Sequence, residues 1–115
     1  MNLTVEAITA IYAEAIEAAT NVAQELLNKH GDRGACGFAW IEIYSYEGVQ
    51  IKGNTKVGRL LKSAGIEQNW NRAFYIWSPA KVGCQSVDIL SRGACAAAEV
   101  FKKYGFAAGS CSRLD

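Results

Sequence analysis

The side chains of this 115-residue chain best suited to hold a ligand are arginines and aromatics. Arg59, Arg72, Arg92 and Arg113 each carry a planar fork of N–H donors that can grip a phosphate bidentately. Trp70-Asn71-Arg72 leads into Phe74-Tyr75-Ile76-Trp77. Strand alternation there puts Tyr75 and Trp77 on one face and Phe74 and Ile76 on the other. The purely apolar pair belongs in a core. Tyr75 and Trp77 can stack on a base while offering a polar tip, so they are expected to line a pocket. Gln85 has no structural duty visible in the sequence, which makes it a reader of a base edge or ribose. Asp88, three residues on, is a second polar contact, although Ser86 as N-cap and Asp88 in a first helical turn also have a structural explanation. The ligand-binding set expected from these residues is Arg59, Tyr75, Trp77, Gln85, Asp88 and Arg113.

Other chemistries find less material. The single histidine, His30, falls at the end of a long helical segment, where it complements the helix dipole. A Cys/His nucleophile would have to use it, with Cys36 the nearest thiol in sequence and no supporting motif. Cys36, Cys84, Cys95 and Cys111 lack the close spacing of a structural zinc site, and magnesium would enter only with a phosphate ligand. Each cysteine sits among small or apolar residues, which predicts buried, reduced thiols. Gly53-Asn54-Thr55-Lys56-Val57-Gly58-Arg59-Leu60 spaces its glycines like a P-loop, but Arg59 replaces the lysine and Leu60 the hydroxyl. What survives is a basic loop entering a helix N-terminus, a place for an anion. No catalytic constellation and no cofactor are expected. Asp88 or Asp115 is the only base available to an enzyme.

The elements that must position these groups are legible as periodicities. Val5 to Lys29 repeats Ile8, Ile11, Ala15, Ala19, Val22 and Leu26 at helical steps, with Thr4 as cap and Gly31 as stop. Such a helix runs to roughly 37 Å, long for a chain of this size. Its apolar stripe therefore predicts a homo-oligomer formed through the N-terminal helix. Cys36 to Tyr46 alternates as a strand, with Ala39, Ile41 and Ile43 against Trp40, Glu42 and Tyr44. A short strand at 49–52, a helix from Lys56 to Ala64 and a strand at 73–77 stopped by Ser78-Pro79 follow. Ser86 then caps an Ala-rich helix at 87–104, and a last strand covers 106–112. The expected architecture is one α+β domain over residues 1–115. It has a long N-terminal helix, a small, mainly antiparallel sheet, a short helix and an Ala-rich C-terminal helix.

Charge is divided along the chain. Residues 1–50 carry an excess of acids and 51–115 an excess of bases, although the net charge is only +1. That split allows one electropositive surface without a Lys/Arg stripe, so nucleic acid is an unlikely partner. No apolar run approaches the ~20 residues that span a bilayer, and the first residues lack a signal-peptide pattern. A cytoplasmic location without a membrane partner is expected.

Gly34-Ala35-Cys36-Gly37-Phe38-Ala39-Trp40, the aromatic-Ser78-Pro79 stop, Gln85-Ser86-Val87-Asp88 and the ending Ser112-Arg113-Leu114-Asp115 resemble a group of small proteins of phages and related mobile elements. By type, the chain is also similar to phage anti-defence sponges, small oligomers that sequester nucleotide immune signals such as cyclic ADP-ribose isomers or cyclic oligonucleotides. That resemblance implies a host-cell location, a small anionic nucleotide-like ligand and binding without turnover. Tyr75 and Trp77 would stack the base, Arg59 and Arg113 hold phosphates, and Gln85 and Asp88 touch base or ribose. Two other readings use the same residues: a small nucleotide hydrolase or transferase, and a single-stranded nucleic-acid or protein-interaction module.

Overall fold

In a computed structural model that describes residues 2–115, Thr4 opens the first helix, α1 (Val5–His30). Its hydroxyl accepts from the Ala7 N–H at 3.1 Å, and Gly31 at φ 73° closes the helix by donating to the Leu27 carbonyl at 2.8 Å. At 1.5 Å per residue α1 measures about 39 Å, nearly the 42 Å long dimension of the molecule. Its inner stripe, Ile8, Ile11, Ala15, Ala19 and Ala23, is buried within the chain.

The sheet is built around β1 (Gly37–Tyr46). Along one side of it runs the terminal strand β5 (Phe106–Leu114). The other side is shared by β2 (Val49–Gln50) and β4 (Phe74–Trp77), with β3 (Glu67–Gln68) beyond β4. All these pairings are antiparallel. Glu47 and Gly48 both take positive φ (49° and 81°), so β1 and β2 meet in a two-residue hairpin of the primed kind. β3 is too short and too polar to carry a periodicity. β5 extends past the expected end at Ser112 because Arg113 and Leu114 pair with Phe38 and Gly37.

Two further helices complete the α+β fold, α2 (Lys56–Ser63) and α3 (Val87–Lys103). α3 lies directly on β1 and β5, and α1 lies along α3. Small residues permit this closeness. A Cβ on Gly93 would stand 2.9 Å from the Ala80 methyl and 3.0 Å from the Ala19 carbonyl oxygen, so the ~1 kcal/mol helix-propensity cost of glycine secures the α1–α3 approach. At the C-terminal end of α3, Glu14 of α1 accepts from the Tyr104 hydroxyl at 2.6 Å and pairs with Lys103. Lys103, then Tyr104, hold the Glu14 carboxyl below its ordinary range. Phe74, Phe101, Ile8, Ile41, Ile43, Leu61 and Ile66 are fully enclosed, each contributing about 1.5–3 kcal/mol of burial.

The helices cover one face of the sheet only. Ala39, Ile41, Ile43, Phe74 and Ile76 point into the core, and among the described residues no element lies over the opposite face. Among the described residues no helix is long and apolar enough to cross a membrane. The cysteines depart from the expected burial. Cys36 and Cys95 are exposed, and Cys84 and Cys111 are half-buried, all four as free thiols. Cys95 takes the outward face of α3, because Ala94, Ala97 and Ala98 fill the inward one.

Candidate functional site

Three strands bring their outward side chains together on the uncovered face. Register places Trp40 beside Trp77 and Glu42 beside Tyr75 across β1 and β4. On the other side of β1, Phe38 stands beside Arg113, Trp40 beside Cys111 and Glu42 beside Gly109. The Trp40 and Trp77 rings stack at 5.4 Å between centroids and 20° between planes, and Phe38 meets Trp77 at 5.6 Å. Arg113 lies over Phe38 at 5.4 Å and over Trp77 at 5.9 Å, within cation–π range. Trp77 nevertheless remains 43% exposed, an unusual state for the largest apolar side chain inside a strand.

A short loop walls this floor. Asn69 anchors the turn between β3 and β4, its carbonyl oxygen Oδ1 accepting from the Asn71 N–H at 2.9 Å and the Ala73 N–H at 3.0 Å. Its backbone pairs with Ala73 and Arg72, and Arg72 takes φ 66° to close the turn. The loop holds Trp70 at its tip with 90% of its surface in solvent. Floor and loop enclose a cleft of about 580 Å³ lined by Trp40, Glu42, Trp70, Tyr75, Trp77 and Arg113, with Gln68, Asn69 and Asn71 at its edge. That volume suits a nucleotide-sized molecule. Across the loop lies a second cleft of about 710 Å³, which shares Gln68 and Asn71 with the first and adds Lys52, Asn54 and Arg72.

Glu42 is the acid within the first cleft. Its Oε2 accepts from Trp40 Nε1 at 3.1 Å and from Asn69 Nδ2 at 3.4 Å. Burial, then the neighbouring Cys111 and Glu42, push the Tyr44 phenol up. Burial and Glu42 push the Cys111 thiol up as well, and burial does the same to Cys84. A raised thiol is less thiolate at neutral pH, the reverse of an activated nucleophile. Among the described residues no group of three or more His, Cys, Asp or Glu side chains is placed to hold a metal ion.

Of the residues singled out in the sequence, Tyr75, Trp77 and Arg113 meet in this cleft; Arg59, Gln85 and Asp88 lie elsewhere. Arg59 is exposed on α2, a helix beside α1. The loop before α2 is already consumed by its own fold. Thr55 accepts from the Gly58 N–H at 3.1 Å and donates to the Lys52 carbonyl at 2.7 Å, and a Cβ on Gly58 would land on that same carbonyl. Gly58 thus serves close packing, and the expected anion site at this helix start has no free donor of Gly58 to offer. Gln85 does have a structural duty. Its carbonyl accepts from Gly37 N–H at 3.0 Å and its side-chain Oε1 from Cys36 Sγ at 3.5 Å, joining the start of β1 to the start of α3. Asp32 caps the same junction, accepting from the Gln85 N–H and, at 2.9 Å, from the Ser86 N–H.

Asp88 faces a smaller cleft of about 310 Å³ where the end of α1 meets the start of α3, with His30, Arg33 and Arg92 around it. Asp115 lines another hollow beside Cys36, Phe38 and Trp77. Neither aspartate stands with Tyr75. Trp40, Glu42 and Asn69 join the site without having been picked from the sequence. The signal for Trp40 and Glu42 was their alternation out of phase with Ala39, Ile41 and Ile43; what the alternation lacked was the partner strand. No protein-family model, curated protein or solved structure matches this chain.

Proposed function

We propose that this protein binds a small nucleotide-derived anion on the uncovered face of its sheet and holds it without turnover. The carrying observation is the convergence of Trp40, Tyr75, Trp77 and Arg113 in one cleft, with a solvent-exposed Trp70 at the rim. Aromatic side chains gathered around one cleft, with Trp70 open to solvent at its rim, can take the face of a base, worth about 1–3 kcal/mol per stacked base. A guanidinium stacked on rings keeps its N–H edge directed outward, suited to a phosphate. Asp88 and Asp115 sit in other hollows, and Glu42, the acid in this one, accepts from Trp40 and Asn69 with no histidine or metal cluster beside it among the described residues, which favours binding over hydrolysis. In the wider reading, drawn from the phage-like motifs, the protein is phage-encoded. It works in the host cytoplasm, sequestering a nucleotide immune signal of the cyclic ADP-ribose or cyclic oligonucleotide kind.

The continuity of the two clefts across Gln68 and Asn71 favours a second reading, a short single strand laid from the aromatic floor toward Lys52 and Arg72. One experiment separates these outcomes. The purified protein is denatured and the released small molecules are identified by mass spectrometry, beside titrations with oligonucleotides at low and high salt. Intact nucleotide recovered from the denatured protein is the expected result. Chemically altered nucleotide after incubation would show turnover and defeat the sequestration reading. Tight, steeply salt-dependent oligonucleotide binding would favour the strand.

A further inference from the structure

We infer that Glu42 makes the cleft selective for guanine, recognising the base by its hydrogen-bond donors while turning the phosphate end toward Arg113. This rests on the nucleotide reading above, and of the two signal classes named there it selects a guanine-bearing cyclic oligonucleotide over cyclic ADP-ribose, whose base is adenine. A carboxylate in the floor of an anion-binding cleft needs a reason, because it repels the phosphate that the arginine attracts. Two acids bracket Tyr75 in the register of the sheet, Glu42 on β1 and Glu67 on β3. Arg113 sits at the other end of the aromatic row, against Phe38 and Trp77. The cleft is therefore polarised along the strands, with the Glu42 carboxylate at the Tyr75 end and a cation at the Trp77 end.

Glu42 is held for this purpose. Trp40 Nε1 donates to Oε2 at 3.1 Å, and Asn69 Nδ2 reaches the same oxygen only at 3.4 Å, near the limit of a useful bond. A carboxylate offers about four acceptor positions; with Trp40, Asn69 and the neighbouring Tyr44 hydroxyl around it, one position remains for a ligand donor. The long Asn69 bond is the one a second donor would displace. Among the common bases guanine alone presents two adjacent donors, N1–H and the N2 amino group, to a carboxylate. Adenine and cytosine set a ring-nitrogen acceptor beside their amino group, and uracil flanks its N–H with carbonyls. Those acceptors would face Glu42 lone pair to lone pair.

Quenching of tryptophan fluorescence by guanosine, inosine, adenosine and uridine monophosphates tests this on the full chain. GMP is expected to bind about tenfold or more tighter than AMP, as a good paired contact to a base edge provides, with IMP between them. Glu42→Gln, which keeps the shape and an acceptor for Trp40, should bring the GMP-to-AMP ratio near one. Its unfolding midpoint, measured alongside, shows that the fold persists. Equal affinities for GMP and AMP in the native protein, or an unchanged ratio in E42Q, would overturn the guanine assignment while leaving nucleotide binding intact. Failure of all four nucleotides to bind would remove both. If Glu42→Gln does not fold, Glu42→Asp, whose shortened carboxylate should also erode the ratio, takes its place.

Discussion

At the scale of single residues, environment divides side chains that look alike in the sequence. Four thiols among small neighbours all invited the same description, yet two stand in solvent and two are half-buried. Cys84 and Cys111 are pushed above the ordinary thiol value chiefly by burial. The thiolate is the reacting form, so a raised pKa moves reactivity to higher pH. With limiting iodoacetamide near pH 7.5, Cys36 and Cys95 should be alkylated well before Cys84 and Cys111. Raising the pH toward 9.5 should narrow that gap; peptide mapping over time reads the order, and first labelling at Cys111 would contradict it. The same dependence on surroundings separates Gln85 from Tyr75. The Gln85 side chain bonds Cys36 at a strand–helix junction, whereas the half-buried Tyr75 lines a cleft beside a carboxylate.

Elements were legible wherever a period ran long enough. α1 and α3 announced themselves through caps, basic last turns and apolar stripes, and β1 through clean alternation. β3 did not, since two polar residues have no period and exist as a strand only because β4 pairs with them. Gly93 is the point of close approach between α1 and α3, its neighbour being the α1 backbone at Ala19. Gly93→Leu should cost at least about 1–3 kcal/mol from overpacking, measured by urea unfolding. Ser91→Leu would serve as a control one turn-face away. Equal stability of Gly93→Leu and the native protein would mean that the α1–α3 contact yields more easily than a packed interior should.

For the molecule as a whole, the length of α1 had suggested an overhanging stripe that a second copy must cover. α3 and α2 instead pack along α1, and Ile8, Ile11, Ala15, Ala19 and Ala23 are buried within the same chain. The part left over is narrower. Tyr12 and Ile16 line a shallow groove of about 530 Å³ with Thr9, Ala13, Thr20 and Lys81. If α1 forms the proposed homo-oligomer, this is the surface it uses, and Ile16→Glu should shift native mass spectra from a multiple of the chain mass to the single chain. A native protein that already runs as one chain at tens of micromolar would end that proposal and leave the aromatic cleft to act alone.

By itself the sequence determined the α+β class, the two principal helices, and the paired faces of β1 and β4. Those properties follow from local periodicity and capping, which neighbouring residues carry within a few turns. It also separated Tyr75 and Trp77 from the core. Only the tertiary structure decided which polar groups share space. Arg113 joins Trp77 because β5 pairs with β1 over nearly its full length, across more than sixty residues of chain. Glu42 meets Tyr75 through a strand register that no local pattern encodes. Arg59, Gln85 and Asp88 lie apart from that cleft for the same reason. A binding site is a set of long-range proximities, fixed by strand pairing and by which face the helices leave uncovered.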